Sequence, residues 1–479
     1  MDSAAAWELG SLDAHAQIEL VDKGDISRAE LTASAITRCE DADPLLNALS
    51  LAAFDYSRDR AKRLPNESRF AGLPYLLKDS LDYPGLPSRC ASRATSSTPR
   101  ERGFAFVEQL DAEGLIPIGK SNMPEFALMA VTEPVANGIT RNPRHPGYSC
   151  GGSSGGAAAA VAAGLVPFAH GSDGGGSIRI PASCCGLIGY KPGRGFNLRA
   201  RGPHIVEDLI VGDALMARSA RDTAWAARLL RPPSAKPCAV PRDRPLRIAM
   251  VEATLEGRQP HPDVAEAVRH TARLLEAMGH HIEAAEWPSA FGDVIEAFLS
   301  MWAYLAREAA LSVIDPRSEQ ADALLEPWTL GLARSVNDDP AALEHFYRSV
   351  ADAAGAVGTF FGAYDLLLCP TVSSPPPPVA QLAPTRPYAT LRREMFDFVA
   401  YTPLQNLTGL PSVSVPTFRN SDGLPIGSML TAPRGGDDLL LRLVADLENA
   451  GAWSTAIARP AASDPQWAAL SGSGSDARG

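Results

Sequence analysis

The chain has 479 residues, of which 45% are hydrophobic and 21% are charged, values close to those of ordinary globular proteins. This composition excludes a fibrous or intrinsically disordered chain, and the length suits one large α/β body or about three smaller domains. The net charge of −11 argues against a general nucleic-acid-binding protein, because phosphate neutralisation requires clustered Lys and Arg.

The first 60 residues are predicted to form a helical segment that serves packing and not chemistry. Ser27 and Glu30 have the spacing of a capping box, and apolar residues follow at helical spacing until Pro44, where we expect the helix to end. Between about 70 and 225, short apolar runs alternate with helical stretches, at 73–77, 115–118, 156–163 and 166–169. Such alternation is typical of an α/β domain with an extensive sheet.

The second half continues this pattern beyond a proline-rich connection at 232–245. We predict a strand at 246–251, a helix at 263–278 and a strand at 366–370. Residues 290–365 are largely helical and weakly patterned, as expected of a cap over a pocket. The sequence therefore predicts an N-terminal helical segment at 1–60, a catalytic domain at 61–462 that includes this cap, and a flexible tail at 463–479.

Cysteine and histidine spacing gives no sign of a disulfide framework or a metal site. The seven cysteines are scattered without a C-x-x-C pair, and the nine histidines contain no H-E-x-x-H. We therefore expect neither a metal nor a cofactor. The N-terminus lacks the basic segment of a secretory signal, and no apolar run is long enough to span a bilayer. These features predict a cytoplasmic enzyme without a membrane partner.

Two literal motif matches do not fit their sequence context. Residues 114–121 match a phosphate-binding loop, but the loop positions are Leu-Ile-Pro-Ile, which favour a strand. Residues 151–155 match the nucleophile elbow of α/β-hydrolases, which requires a buried strand immediately upstream. The preceding segment 141–148 is loop-like, and the only histidine after 281 is His345, in a polar helical stretch. Neither interpretation is favoured.

Three other segments carry candidate chemistry. Lys78 ends an apolar run, so it is either a surface lysine or a buried base with a lowered pKa. The run Gly-Gly-Ser-Ser-Gly-Gly at 151–156 is either a flexible turn or a place where chain segments approach closely. Three successive glycines precede Ser177, and their N–H groups can point into one cavity, as an oxyanion hole requires.

Together these segments resemble the amidase signature family of serine hydrolases. The 24-residue step from Ser153 to Ser177, the run Gly-Gly-Ser-Ile-Arg-Ile-Pro-Ala at 175–182 and the run Pro-Tyr-Leu-Leu-Lys-Asp at 74–79 match that family. The resemblance covers about 60–450. It implies the amidase-signature α/β fold, in which a central mixed β-sheet is covered by helices on both faces, and by analogy a homodimer.

The resemblance also implies a triad in which Ser177 is the nucleophile, Ser153 is the bridging serine after a cis peptide bond, and Lys78 is the base. Neutral Lys78 would take the proton of Ser153, and Ser153 would take that of Ser177, which then attacks a carbonyl. The implied oxyanion donors are the N–H groups of Gly174, Gly175, Gly176 and Ser177. The residues implied to support the loop are Ser154, Asp173 and Arg179.

Two loop positions depart from the pattern of the family, in which Thr precedes the Asp and an apolar residue or Thr follows it. Ser172 and Gly174 stand at these positions here. The backbone donors survive both changes, but an added glycine loosens the loop unless packing fixes it.

Within the family, the motifs most resemble those of the 6-aminohexanoate-cyclic-dimer hydrolases, which act on small apolar amides. This predicts an amidase for small uncharged amides, whether linear amides, cyclic amides or anilides, with carbamates and esters as further candidates, acting through an acyl-enzyme. The alternative is the A subunit of a glutamyl- or aspartyl-tRNA amidotransferase, which releases ammonia from glutamine. The candidates to line the acyl pocket are Met301, Trp302, Tyr304 and Leu305.

Overall fold

The computed structural model describes residues 2–64, 68–238, 244–337 and 339–471. In this part of the chain the β-strands are β1 Leu49–Ala52, β2 Pro74–Lys78, β3 Ile116–Ser121, β4 Phe168–Asp173, β5 Gly189–Lys191, β6 Gly212–Met216, β7 Arg247–Met250, β8 His281–Ala284, β9 Leu366–Pro370, β10 Ser412–Arg419 and β11 Pro425–Thr431.

The α-helices of the same ranges are α1 Ser3–Ser11, α2 Ala14–Lys23, α3 Arg28–Leu46, α4 Phe54–Ala61, α5 Ala105–Ala112, α6 Gly155–Ala163, α7 Arg179–Cys185, α8 Ile205–Ile210, α9 Ala220–Leu229, α10 Pro262–Ala277, α11 Val294–Leu311, α12 Ala321–Leu324, α13 Pro327–Arg334, α14 Pro340–Ala363, α15 Tyr388–Val399, α16 Pro403–Leu407, α17 Asp437–Asn449 and α18 Pro465–Ser471. Two short 3₁₀ helices lie at Glu125–Ala127 and Ser289–Phe291.

The strands form two mixed sheets. The first has the order β1-β3-β2-β4-β6, in which β2 is parallel to both β3 and β4 and the two outer pairs are antiparallel. The second has the order β5-β10-β11-β9-β7-β8, in which β9, β7 and β8 are parallel. A bridge between Ile188 and Ala217 joins the edges beside β5 and β6. The predicted mixed α/β fold is confirmed, with the expected central sheet present as two sheets that meet at this bridge.

The predicted helix that begins after Ser27 is present as α3, and it is longer than expected. Ser27 and Glu30 make both hydrogen bonds of the capping box. The expected stop at Pro44 is wrong, since α3 continues to Leu46 and ends at Asn47, which adopts a left-handed conformation with φ of 52°. Pro44 removes one hydrogen bond of the helix, and burial of Leu46 in the core offsets this cost.

The first sheet and α6 bring the chemistry-bearing segments together. Because β2 and β4 are parallel neighbours, Lys78 at the end of β2 lies at the same edge as the end of β4. Every residue of α6 is buried, and its start carries the serines of the Gly-Ser run to this edge. A Cβ on Gly156 would lie 2.5 Å from the backbone nitrogen of Asn122, so the close approach of α6 depends on glycine there.

The region predicted as a cap contains α11 to α14. Its apolar side chains pack with α15 and with the segment 128–131 in a hydrophobic cluster distinct from the cores of the two sheets. Trp328 of α13 is among the largest fully buried side chains of this cluster. The cap is therefore a second apolar layer beside the sheet edge that carries Lys78.

Part of the predicted connection at 232–245, namely residues 239–243, lies outside the described residues, as do residues 472–479 of the predicted tail. Before them, α18 begins at Pro465, and Trp467 is only 3% exposed within the main core cluster. This stretch of the predicted tail is packed because an indole gains more from burial than from solvent. None of the described helices is both long and apolar enough to cross a membrane.

Candidate active site

Lys78 is fully buried at the end of β2. Its Nζ donates hydrogen bonds to Ser153 Oγ at 2.7 Å and to Ser172 Oγ at 2.9 Å. Burial lowers the pKa of Lys78 to about 7, because the ammonium loses its hydration, and the carboxylate of Asp213 only partly offsets this effect. The surface alternative for this lysine is therefore excluded, and the amine is available as a base near neutral pH.

Ser153 follows a cis peptide bond with Gly152, as the resemblance implies. Its side chain is fully buried and accepts the hydrogen bond from Lys78. A Cβ on Gly152 would lie 2.7 Å from backbone atoms of Val131, so this segment needs glycine for close packing. Ser154 ties the segment to β4, since its Oγ lies 3.3 Å from both the N–H and the carbonyl oxygen of Ser172.

Ser177 lies in the turn before α7 and is 8% exposed. Its carbonyl oxygen accepts a hydrogen bond from the N–H of Ser154 at 3.2 Å, which brings the two serine-bearing segments together. Among the described residues, the Ser177 hydroxyl has no hydrogen-bond partner. Catalytic hydrogen bonds are often long before a substrate binds, so this geometry is compatible with attack by Ser177.

The carboxylate of Asp173 organises the glycine loop. It accepts hydrogen bonds from the N–H of Gly176 at 2.8 Å, from the Arg179 guanidinium at 2.8 and 2.9 Å, and from Asn406 Nδ2 at 2.9 Å. Burial alone would raise the pKa of Asp173, but the charge and the hydrogen bonds of Arg179 hold it well below its usual range. Asp173 therefore stays ionised and anchors the loop.

The N–H groups implied as oxyanion donors differ in their hydrogen-bond partners. The N–H of Gly176 is already donated to Asp173, whereas within the described ranges the N–H groups of Gly174, Gly175 and Ser177 have no protein acceptor. The carbonyl oxygen of Gly175 accepts a hydrogen bond from Thr402 Oγ1 at 2.6 Å. The loop with its additional glycine is thus held in place by packing and hydrogen bonds.

A buried charged network lies next to Lys78. Asp213 accepts hydrogen bonds from Arg201 at 2.5 and 3.0 Å and lies 3.1 Å from His170 Nε2. Burial would raise the pKa of Asp213, but Arg201 lowers it to about 2, and burial lowers the pKa of His170. No motif in the sequence marked these residues. None of the described His, Cys, Asp or Glu side chains forms a group of three that could hold a metal ion.

A small apolar cavity, with a volume of about 30 Å³, opens at Ser177. It is lined by Leu128, Met129, Ala130, Gly175, Ser177, Ile180, Phe298, Trp302, Trp328, Met395, Phe396 and Val399. None of these residues has an ionisable side chain. The rings of Phe298 and Trp302 stack with their centres 4.9 Å apart and form one wall. The cavity suits an uncharged acyl group.

The four residues predicted to line the acyl pocket do not all reach this cavity. Trp302 lines it, whereas Met301, Tyr304 and Leu305 do not. Met301 is buried within the cap. Phe298 was missed although it stands one helical turn before Trp302, a spacing that places both on one face. The residues of α13 and α15 in the lining carry no sequence signal.

Comparison with known proteins agrees with this geometry. A family model described as Amidase matches residues 30–441. The chain is 37% identical over 462 residues to a putative amidase, AmiC, of Mycobacterium tuberculosis. This alignment covers 93% of this chain and 96% of the relative. The chain is 33% identical to the 6-aminohexanoate-cyclic-dimer hydrolase of Paenarthrobacter ureafaciens, over 95% of this chain and 97% of the relative.

Solved structures of two enzymes also align with this chain over most of its length. A 6-aminohexanoate cyclic dimer hydrolase in complex with substrate aligns with a TM-score of 0.83 at 31% identity, over 93% of this chain and 98% of the other. A bacterial aryl acylamidase aligns with a TM-score of 0.81 at 27% identity, over 92% and 97% of the two chains.

Proposed function

This chain belongs to the amidase family, and we propose that it hydrolyses small uncharged amides through an acyl-enzyme formed on Ser177. The observation that carries the proposal is the buried hydrogen bond from Lys78 to Ser153, placed beside an apolar cavity that opens at Ser177. A lysine that is neutral near pH 7 is the base that such a serine relay needs.

The hydrogen bond between Lys78 and Ser153 supports a proton relay through Lys78, Ser153 and Ser177. Lys78 accepts the proton of Ser153, Ser153 accepts that of Ser177, and Ser177 Oγ attacks the carbonyl carbon of the amide. The N–H groups of Gly174 and Gly175, together with that of Ser177, stabilise the oxyanion. The C–N bond breaks as the relay returns a proton to the leaving nitrogen. Water, activated by the same relay, then hydrolyses the acyl-enzyme.

The cavity supports an apolar acyl group as the part of the substrate that binds there. Its lining is aromatic and aliphatic, and a charged acyl group would be desolvated without a partner. The named activities of the similar solved proteins, on a cyclic amide and on aryl amides, are consistent with such substrates. Carbamates and esters present a similar carbonyl and remain within the proposal.

The alternative function, release of ammonia from glutamine as an amidotransferase A subunit, is not favoured. Glutamine carries an ammonium and a carboxylate group on one carbon, and a site for it needs charged partners. The cavity at Ser177 offers none.

The test is a panel of anilides, aliphatic amides, carbamates, esters and free glutamine, assayed with wild type and with Ser177→Ala. We expect hydrolysis of anilides without turnover of glutamine, and no turnover or labelling by a fluorophosphonate in Ser177→Ala. Ser300→Ala, which removes an exposed hydroxyl from α11, is the matched control and should behave as wild type. Turnover of glutamine in preference to anilides would contradict the proposal.

A further inference from the structure

Two glutamates are buried together where the cap meets the catalytic body. Glu125 begins the 3₁₀ helix Glu125–Ala127, Glu326 immediately precedes α13, and each is only 2% exposed. Glu125 Oε2 accepts a hydrogen bond from the backbone N–H of Glu326 at 2.8 Å, and Glu125 Oε1 accepts one from Ser92 Oγ at 2.6 Å. The contact therefore joins two parts of the chain that are 201 residues apart.

Only one of the two carboxylate oxygens of Glu326 accepts a hydrogen bond from the described residues. Its Oε1 accepts a hydrogen bond from the N–H of Val135 at 2.7 Å, whereas Oε2 is buried without a partner among the described residues. A buried carboxylate oxygen without a donor is costly, whereas a protonated carboxyl carries no charge to desolvate.

The charges around the pair favour one proton on it. Burial raises the pKa of Glu326 to about 8, and the negative charge of Glu125 adds to this effect. Burial raises the pKa of Glu125 as well. The groups that face the pair are the hydroxyls of Ser92 and Thr329 and the exposed guanidinium of Arg93, which only partly offsets the burial. These surroundings therefore favour the neutral form of Glu326 at neutral pH.

The pair lies next to the wall of the cavity at Ser177. The carbonyl oxygen of Leu128, three residues after Glu125, accepts hydrogen bonds from Trp328 Nε1 at 2.7 Å and from Trp302 Nε1 at 3.2 Å. Trp328 stands two residues after Glu326. Leu128, Trp302 and Trp328 all line the cavity. The positions of both indoles thus depend on how the segment after Glu125 meets the start of α13.

We propose that Glu125 and Glu326 are positioning residues for the acyl cavity, and that loss of the proton from this pair loosens the indole wall and weakens substrate binding. The proposal rests on the proposed function only in that the substrate occupies the cavity. Two facing buried carboxylates repel each other, so α13 moves away from the 125–128 segment when both are ionised.

The sign of the pH effect follows from the raised pKa of Glu326. Its folded value lies above that of an unfolded glutamate, so the stabilising protonated form is lost as pH rises through about 8. We expect KM to rise several-fold between pH 7 and 9.5, while kcat keeps the high value set by deprotonated Lys78.

The experiment compares wild type, Glu326→Gln and the exposed control Glu319→Gln in steady-state kinetics against an anilide from pH 6 to 10. Glutamine keeps the shape of Glu326 and cannot ionise, so KM of Glu326→Gln should stay level at alkaline pH. The Glu319→Gln enzyme should follow wild type. An alkaline rise in KM that persists in Glu326→Gln would overturn the proposal.

A second measurement does not depend on activity and so separates this proposal from the proposed function. Tryptophan emission of the wild type should change with a midpoint near pH 8, because Trp302 and Trp328 adjoin the pair. In Glu125→Gln the facing charge is absent, so the midpoint should move to lower pH by about one unit. Emission that is flat across this range, or a midpoint that does not move in Glu125→Gln, would also overturn the proposal, whatever substrate the enzyme accepts.

Discussion

At the scale of single residues, the amine of Lys78 must be neutral before it can accept a proton from Ser153. Because burial places its pKa near 7, the neutral fraction increases through the physiological range. We expect kcat/KM to rise about tenfold per pH unit below 7, and kcat to level off above that value. A pH profile measured with an uncharged anilide checks this, and a flat profile between pH 5 and 7 would contradict the role of Lys78 as base.

Removal of the same amine gives a second residue-scale prediction. Lys78→Ala should lower kcat by about 10²–10⁴-fold, the usual contribution of a positioned base, and should abolish the rise with pH. Lys62→Ala, which removes the side chain of an exposed lysine, is the control and should leave kcat unchanged. Activity of Lys78→Ala within tenfold of wild type would exclude Lys78 as the base.

At the scale of elements, we expect α11 to determine which acyl groups fit the cavity. Phe298 and Trp302 line the cavity, whereas Met301 of the same helix does not. Phe298→Ala should raise kcat/KM for an anilide with a bulky acyl group relative to kcat/KM for acetanilide, because the phenyl ring of Phe298 occupies space in the cavity. The ratio should not change in Met301→Ala, although both truncations cost about 2–5 kcal/mol of stability. Equal ratios in the two variants would show that α11 does not shape the acyl site.

Local sequence patterns predicted several of the helices and strands. The capping box at Ser27 and the apolar runs at 73–77 and 115–118 identified α3, β2 and β3, because these signals are local. The end of an apolar run singled out Lys78, and the Gly-Ser runs singled out Ser153 and Ser177; the structure brings these residues to one sheet edge.

What the sequence did not predict depends on contacts between distant segments. Helix α11 is apolar on several sides, so its pattern does not say which face meets the cavity. The donation of the Gly176 N–H to Asp173 depends on how the loop folds back, not on residue type. The pair of Glu125 and Glu326 joins segments with no local relation, and neither glutamate differs in sequence from a surface residue.

At the scale of the whole molecule, Asn406 of α16 holds the glycine loop at Asp173 to the second half of the chain. Its Nδ2 donates to Asp173 O at 2.8 Å and to Ile210 O at 2.9 Å, and its Oδ1 accepts from Arg179 at 2.6 Å. Asn406→Ala would remove a hydrogen bond from two buried carbonyl oxygens and from Arg179, which keeps its bonds to Asp173. It should cost at least about 2 kcal/mol of unfolding free energy and lower kcat together with it. Urea denaturation and kinetics measure both effects.

The control for this prediction is Asn449→Ala, at the exposed end of α17, which should change neither stability nor kcat. Loss of stability in Asn406→Ala with unchanged kcat would show that the loop keeps its geometry without this asparagine.

The distance in sequence between Asp173 and Asn406, 233 residues, has a consequence for biosynthesis. On the proposed function, the glycine loop at Asp173 would hold the developing negative charge, and it lacks its anchor until α16 has been synthesised. A nascent polypeptide that ends before α16 should therefore be unable to hydrolyse amides, although it already contains Lys78, Ser153 and Ser177.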